Sequence, residues 1–277
     1  MSDFFSSIFL GVVQGLGEFI PVSSSGHLIL ARYVFNLDLN FSPAQYLAFD
    51  VALHLGTLCA VVLYFRRKIK KTILSHTRDQ RKKLISLLIL TTLPGAIAGV
   101  VFSDLIEEIF RSPASVASMI FFYGLLLLAA DLHYRNQKKE TAELAFPLDE
   151  KIHELPCYKA FIIGMFQALA LIPGTSRSGA TITGGLFLGL DRKDAAKLSF
   201  FISIPIIFGA GLIQVPALID SGLNPRVFVT GFFVSFLVGF LSIKFMLRYL
   251  AARSYVLFVA YRIILALIIF GIIACRG

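Results

Sequence analysis

Six long runs of apolar residues constrain this chain more than any other feature of its sequence. Each run holds roughly 17–22 residues, enough for one helical crossing of a ~30 Å hydrocarbon layer. Of all 277 residues, 57% are hydrophobic and 16% are charged, whereas a soluble domain carries about 25% charged residues. The pattern excludes a soluble enzyme, a disordered chain and a fibrous repeat. It predicts an all-α polytopic membrane protein with six transmembrane helices, at 46–65, 84–102, 115–131, 197–218, 227–247 and 255–275.

Two further apolar stretches, 4–35 and 158–190, are interrupted by proline, glycine and a cluster of hydroxyl residues. The interruptions are Pro21-Val22-Ser23-Ser24-Ser25-Gly26 and Pro173-Gly174-Thr175-Ser176-Arg177-Ser178-Gly179. Each interruption frees backbone polar groups that lipid cannot satisfy, so it must be buried in protein or line a watery cavity. The sequence therefore predicts two re-entrant helical hairpins.

The two interrupted stretches also resemble each other, which indicates an internal duplication. Gly11 and Gln14 precede the first break as Gly164 and Gln167 precede the second. Ile20-Pro21 likewise matches Ile172-Pro173, although the alignment needs one deletion and one insertion. Each half has a hairpin followed by three spans. We predict a single membrane domain over 1–277, with a first repeat at 1–131, a connector on the cytoplasmic side at 132–157 and a second repeat at 158–277.

The basic residues predict the direction in which the chain crosses the membrane. Residues 66–83 hold nine Lys and Arg against one Asp, which predicts a polar loop in the cytoplasm. Threading the spans from there places 20 of the 26 basic residues in the cytoplasm and four on the opposite side. The first hairpin then enters from outside and the second from the cytoplasm, so the halves are inverted and the breaks should meet near the midplane. Because the basic run has no interleaved aromatic residues, we expect no nucleic-acid partner.

A few ionisable residues remain inside apolar surroundings. They include Arg177, Arg262 and Glu18, the one acid deep in an apolar stretch. Ionisable residues within a membrane are expensive and mark functional sites. Gln14 lies four residues before Glu18 on the same helix face, and His27 follows the first break.

If the two breaks converge, they enclose a small polar chamber with a carboxylate, an imidazole, a guanidinium and several hydroxyls. Helix N-termini favour anions, and Arg is suited to bidentate phosphate binding. We therefore predict a site for a phosphate or pyrophosphate group. Its predicted binding residues are Gln14, Ser23, Ser25, Gly26, Gly174, Thr175, Ser176 and Ser178.

Structural interpretations of the same residues also stand. Glu18 and Arg177 could form an ion pair that only stabilises the fold. Asp50 and His54, four residues apart, are more typical of a helix-start acid and a packed polar residue. Arg262 is more typical of a structural partner to loop carbonyls or to an acid.

Two motifs resemble those of a known family. The run Gln14-Gly-Leu-Gly-Glu18-Phe-Ile-Pro21-Val-Ser-Ser-Ser-Gly-His27 resembles the Glu/Gln-x-x-x-Glu and SSSGH motifs of bacterial undecaprenyl pyrophosphate phosphatases of the bacitracin-resistance type. The run PGTSRSG, from Pro173 to Gly179, resembles the second signature of that family. Gln14 stands at a position that is often Glu in the family.

The resemblance implies a dephosphorylation. The substrate would be the C55 isoprenoid pyrophosphate left by cell-wall peptidoglycan assembly; its loss of one phosphate recycles the lipid carrier and confers bacitracin resistance. The resemblance also implies an inverted-repeat fold in the bacterial inner membrane, a site open to the periplasmic or outer face, and dependence on Mg²⁺ or Ca²⁺. It leaves a homodimer open. By motif match, the catalytic residues are Glu18, Ser24, His27 and Arg177, and Glu18 would also bind the metal.

Three versions of the reaction and one other function remain open. Ser24 could attack phosphorus while His27 or Glu18 takes its proton, His27 could attack instead, or a metal-bound water held by Glu18 could attack. The alternative function is a transporter or flippase of an anionic isoprenoid lipid, because broken helices in inverted repeats are typical of transporters. A phosphatidic-acid-phosphatase type 2 enzyme is disfavoured, since neither KxxxxxxRP nor a later HxxxD occurs in the expected arrangement.

Overall fold

Helices account for the regular structure of the described chain. The computed structural model describes residues 3–35, 37, 41–75, 77–140, 152, 155–222 and 224–276. Within them the α-helices are α1 Asp3–Phe19, α2 Ser24–Phe35, α3 Pro43–Ser75, α4 Arg78–Phe110, α5 Pro113–Glu140, α6 Cys157–Leu169, α7 Arg177–Phe187, α8 Arg192–Asp220, α9 Pro225–Tyr249 and α10 Val256–Arg276. The all-α prediction is confirmed over these residues.

Six of these helices are long and apolar enough to cross a membrane, which confirms the predicted number of spans. The candidate spans are Gln45–Lys70, Arg78–Ile106, Pro113–Gln137, Arg192–Gln214, Pro225–Tyr249 and Val256–Arg276. Large apolar side chains such as Val100 and Ile213 are more than 70% exposed on them. Exposure of that kind suits a lipid surround, so the chain is a multi-pass membrane protein.

The predicted polar loop at 66–83 was wrong in its local structure. The helix α3 continues to Ser75, and α4 begins at Arg78. Thr77 caps α4 with a capping box, in which its hydroxyl accepts from the Gln80 amide and the Gln80 side chain accepts from the Thr77 amide. Lys and Arg are good helix formers, so a run of basic residues does not by itself end a helix. The cap at Thr77 then starts α4 within the same run. In the connector 132–157, α5 continues to Glu140, and residues 141–151 lie outside the described part.

Each of the two interrupted stretches forms a pair of helices with a break between them, so the predicted interruptions are confirmed. The first break separates α1 from α2, and the second separates α6 from α7. Ser23 and Ser176 each precede the second helix of a pair, with φ of 80° and 76°. The Ser23 hydroxyl accepts from the Gly26 amide at 3.3 Å, and the Ser176 hydroxyl accepts from the Gly179 amide at 3.0 Å. The two breaks therefore share one cap geometry.

The packing of the first helix in each pair places both breaks in the interior. The helix α1 packs against α9, and α6 packs against α4, while α3 contacts α8 and α5 contacts α10. Glycines permit the close approach in both cases. A Cβ on Gly11 would lie 2.9 Å from Val234, and one on Gly164 would lie 2.4 Å from the Leu90 carbonyl.

Candidate active site

The two breaks meet, although they are far apart in the sequence. Glu18, in the last turn of α1, pairs through Oε1 with Nη2 of Arg177, the first residue of α7, at 2.7 Å. Close by, the Ser178 hydroxyl donates to the Ile20 carbonyl at 3.3 Å. The predicted convergence of the two loops is confirmed by these contacts.

Glu18 is the hub of the polar cluster. Its side chain is buried, with 6% of the residue exposed. Oε2 accepts from the Ser24 hydroxyl at 2.8 Å and from Gln14 Nε2 at 2.9 Å. A hydroxyl held against a carboxylate is the arrangement that activates an oxygen nucleophile.

Arg177 is held in one orientation by two elements. Nη2 contacts Glu18, and Nη1 donates to the Ser199 carbonyl of α8 at 3.0 Å. Because a buried charge is stable only when it is paired and hydrogen-bonded, this pair fixes the guanidinium beside the N-terminus of α7. Ser24 is likewise the first residue of α2. The N-termini of α2 and α7 therefore both lie beside the Glu18 carboxylate.

A cavity of about 310 Å³ opens beside this cluster. Among the described residues of its lining, Glu18 is the single acid and Arg177 the single Arg. The remaining lining is mostly apolar, with Val51, Leu55, Leu171, Ile206, Ile207 and Ala210 among its members. A cavity with one polar end and apolar walls fits a ligand that has a charged head and a hydrocarbon tail.

The predicted binding residues divide between the cavity wall and the layer behind it. Ser23, Ser24, Ser25 and Ser176 line the cavity together with Glu18. Outside that lining, Gln14 reaches the site through Glu18, and Gly26, Gly174, Thr175 and Ser178 belong to the loop packing.

His27 does not join the cluster. Its Nδ1 lies 2.7 Å from the Ser23 carbonyl oxygen, and its Nε2 lies 2.7 Å from the Tyr261 hydroxyl. The two rings are stacked with centroids 5.6 Å apart. His27 lines a separate, largely apolar cavity of about 450 Å³ with Leu16 and Phe258. Both of its nitrogens are engaged away from Ser24.

His54 also lies at the site, although the sequence favoured a packed polar residue at this position. It lines the main cavity, and its Nδ1 lies 2.9 Å from Gln14 Nε2 and 3.4 Å from Glu18 Oε2. Asp50 instead pairs with Arg32. The available signal was an ionisable side chain within a span, which the packing interpretation set aside.

Arg262 braces both loops from behind. It is fully buried, and its guanidinium donates to the carbonyls of Pro21, Gly174 and Thr175 at 3.0–3.2 Å. It also donates to the carbonyls of Ile120 and Met119 in α5. The structural interpretation, a partner to loop carbonyls, is confirmed.

The donor set suits a divalent cation shared with a phosphate ligand. The described residues contain no group of three or more His, Cys, Asp or Glu close enough to hold a metal by themselves. The Glu18 carboxylate has the Gln14 amide beside it, and Gln14 Oε1 is buried without a hydrogen-bond partner. Mg²⁺ is commonly held by one or two carboxylates together with phosphate oxygens and water, so one carboxylate and one amide oxygen fit it.

The chain is similar to known proteins over nearly its whole length. The family model of bacitracin resistance protein BacA matches residues 7–268. The chain is 44% identical over 273 residues to undecaprenyl-diphosphatase of Moorella thermoacetica, covering 98% of each chain. It is 40% identical over 267 residues to that of Elusimicrobium minutum, covering 95% of this chain and 96% of the relative. The same identity over 277 residues relates it to the Pelotomaculum thermopropionicum protein, covering 98% and 97%.

Proposed function

This chain belongs to the bacitracin resistance protein BacA family, and we infer from that membership that it is an undecaprenyl-diphosphatase. It hydrolyses undecaprenyl pyrophosphate to undecaprenyl phosphate and inorganic phosphate, and so recycles the lipid carrier of cell-wall synthesis. One observation carries the assignment to a site: the Ser24 hydroxyl, the Glu18 carboxylate and the Arg177 guanidinium are in contact at the polar end of an amphipathic cavity.

The same geometry supports a particular sequence of bond changes. Ser24 Oγ attacks the terminal phosphorus while its proton passes to Glu18 Oε2, 2.8 Å away. The bond from that phosphorus to the bridging oxygen breaks, and Glu18 delivers the proton to the departing polyprenyl phosphate. Water then attacks the phosphoserine, Glu18 takes its proton and returns it to Ser24 Oγ, and phosphate leaves. Glu18 ends as it began.

Charge on the transferring phosphoryl group is balanced by fixed donors. Arg177 and the N-termini of α2 and α7 supply positive potential where negative charge develops. A Mg²⁺ or Ca²⁺ ion held by Glu18 and Gln14 Oε1 would neutralise further pyrophosphate charge. His27 has only a supporting role in this scheme, because its Nδ1 contacts the Ser23 carbonyl and its Nε2 contacts the Tyr261 hydroxyl.

We further propose that the two halves are inverted repeats whose hairpins are re-entrant. The shared cap geometry of Ser23 and Ser176 supports this, as does the matched packing of α1 on α9 and of α6 on α4. We place the basic C-terminal end of α3 and the basic N-terminal end of α4 on the cytoplasmic side of a bacterial inner membrane. In that orientation the site opens to the periplasmic face.

Phosphate release from an isoprenyl pyrophosphate by pure protein in detergent tests the activity, because no transport is possible there. We expect release that is lost in Ser24→Ala and retained in Ser118→Ala, which removes an exposed α5 hydroxyl bonded to its own helix. Substrate labelled on the terminal phosphate should label Ser24 transiently. If both Glu18→Ala and Arg177→Ala keep full activity, this site is the wrong one.

A transporter remains the second candidate, because two broken helix pairs meet at one ion pair. Pure protein that binds the lipid in detergent but releases no phosphate would favour it.

A further inference from the structure

We propose that His54 is a phosphate-binding residue of this site, whose Nε2–H donates to an oxygen of the substrate's pyrophosphate. The inference deepens the proposed function and rests on it for the identity of the ligand. It follows from the hydrogen-bond network around Glu18, in which each donor and acceptor can be assigned.

Glu18 fixes the orientation of the Gln14 side-chain amide. The atom placed 2.9 Å from Glu18 Oε2 is Nε2. Exchanging the amide oxygen and nitrogen would set two acceptor oxygens against each other, since an ionised carboxylate only accepts. Glu18, paired with Arg177 at 2.7 Å, therefore fixes the NH₂ group of Gln14 in this position.

The orientation of the Gln14 amide in turn sets the tautomer of His54. The Gln14 NH₂ group has two hydrogens; one goes to Glu18 and the other points to His54 Nδ1, 2.9 Å away. Nδ1 must therefore accept, because two donors cannot share one contact. In a neutral imidazole whose Nδ1 accepts, the proton lies on Nε2.

The proton on His54 Nε2 is available to a ligand in the main cavity. Nε2 of His54 has no hydrogen-bond partner among the described residues, yet 35% of the His54 side chain is exposed and the residue lines the main cavity. Glu18 and Arg177 line the same cavity. The cavity therefore offers an N–H donor from α3 in addition to the guanidinium from α7, which suits a ligand with several acceptor oxygens.

Three substitutions of His54 distinguish the contribution of its Nε2 from that of its Nδ1. The amide nitrogen of Gln reaches the place of Nε2, whereas the side-chain amide of Asn reaches only the place of Nδ1. We would compare H54A, H54Q and H54N in purified full-length protein, using KM and kcat for phosphate release from farnesyl pyrophosphate and thermal stabilisation by inorganic pyrophosphate. His133→Ala, at an exposed histidine of α5, is the matched control.

We expect H54A to raise KM about ten- to hundredfold, as loss of one hydrogen bond to a charged group does, with a much smaller change in kcat because uniform binding is lost. H54Q should recover most of that affinity, and H54N should resemble H54A. The stabilisation by inorganic pyrophosphate should follow the same order.

Recovery by H54N and not by H54Q would assign His54 to holding Gln14 and would overturn the proposal. A loss of kcat at unchanged KM in all three variants would make the imidazole itself part of the chemistry, and would also overturn it. If wild type releases no phosphate but binds inorganic pyrophosphate more tightly than H54A does, the diphosphatase function fails while this binding assignment stands. Equal binding by wild type and H54A refutes the assignment in either case.

Discussion

Arg262 allows the sharpest test of how the two loops are held together. Replacing it with Met keeps a long apolar stem and removes every donor. The carbonyls of Pro21, Gly174 and Thr175 then lose the guanidinium that they contact at 3.0–3.2 Å. These carbonyls lie outside the helices, so no helical hydrogen bond compensates for the loss.

The magnitude follows from those three carbonyls. A buried acceptor left without a partner costs about 1–3 kcal/mol, so three of them cost about 3 kcal/mol or more. For a chain of this size, each kcal/mol lowers Tm by about 2–4 °C. We expect Arg262→Met to melt at least about 6–12 °C below wild type, and to release phosphate more slowly because Glu18 and Arg177 belong to the elements that the braced loops connect.

The assay is thermal unfolding in detergent at a fixed scan rate, together with phosphate release. Arg253→Met is the matched control, because Arg253 is exposed in the turn between α9 and α10. Arg262→Lys should lie between wild type and Met, since one ammonium cannot reproduce the guanidinium fork. Equal Tm and activity in Arg262→Met and Arg253→Met would refute the bracing role. An unchanged Tm with lost activity would instead place Arg262 in the chemistry.

Two more substitutions test the helix packing and the ion pair. Gly56→Ala should destabilise the protein by about 1–3 kcal/mol, because a Cβ there would lie 2.1 Å from Ser235 Oγ. The control Gly209→Ala, whose Cβ would have nothing within 4 Å, should be neutral or stabilising. Equal Tm values for the two variants would contradict the predicted clash at Gly56. Arg177→Lys should lower kcat/KM for phosphate release at least tenfold, since loss of a hydrogen bond to a charged group costs about 1.5–3 kcal/mol and an ammonium does not reproduce the guanidinium that contacts both Glu18 and Ser199. Activity equal to wild type would show that the guanidinium of Arg177 is not needed beside Glu18.

Most of the candidate site could be predicted from the sequence, because its charged members lie in stretches that are otherwise apolar. Glu18 and Arg177 stand out as charges within apolar stretches, and such charges need a partner wherever the chain places them. Ser24 lies in the run of hydroxyls after the first break, and the resemblance to the family motif singled it out. The polar loop at 66–83 was wrong because charge indicates contact with water and does not by itself end a helix.

The sequence by itself determined the number of spans, the two broken helix pairs and the ionisable residues within them. These follow from transfer of each residue from water to lipid and from local backbone geometry, which depend on a short stretch of chain. Only the tertiary structure decided which side chains meet. It brought Arg177 to Glu18 across 159 positions and His54 to Gln14 across 40, and it turned His27 towards Tyr261 instead. Hydrogen bonds act over about 3 Å, so such choices depend on how separate helices pack, which no local pattern records.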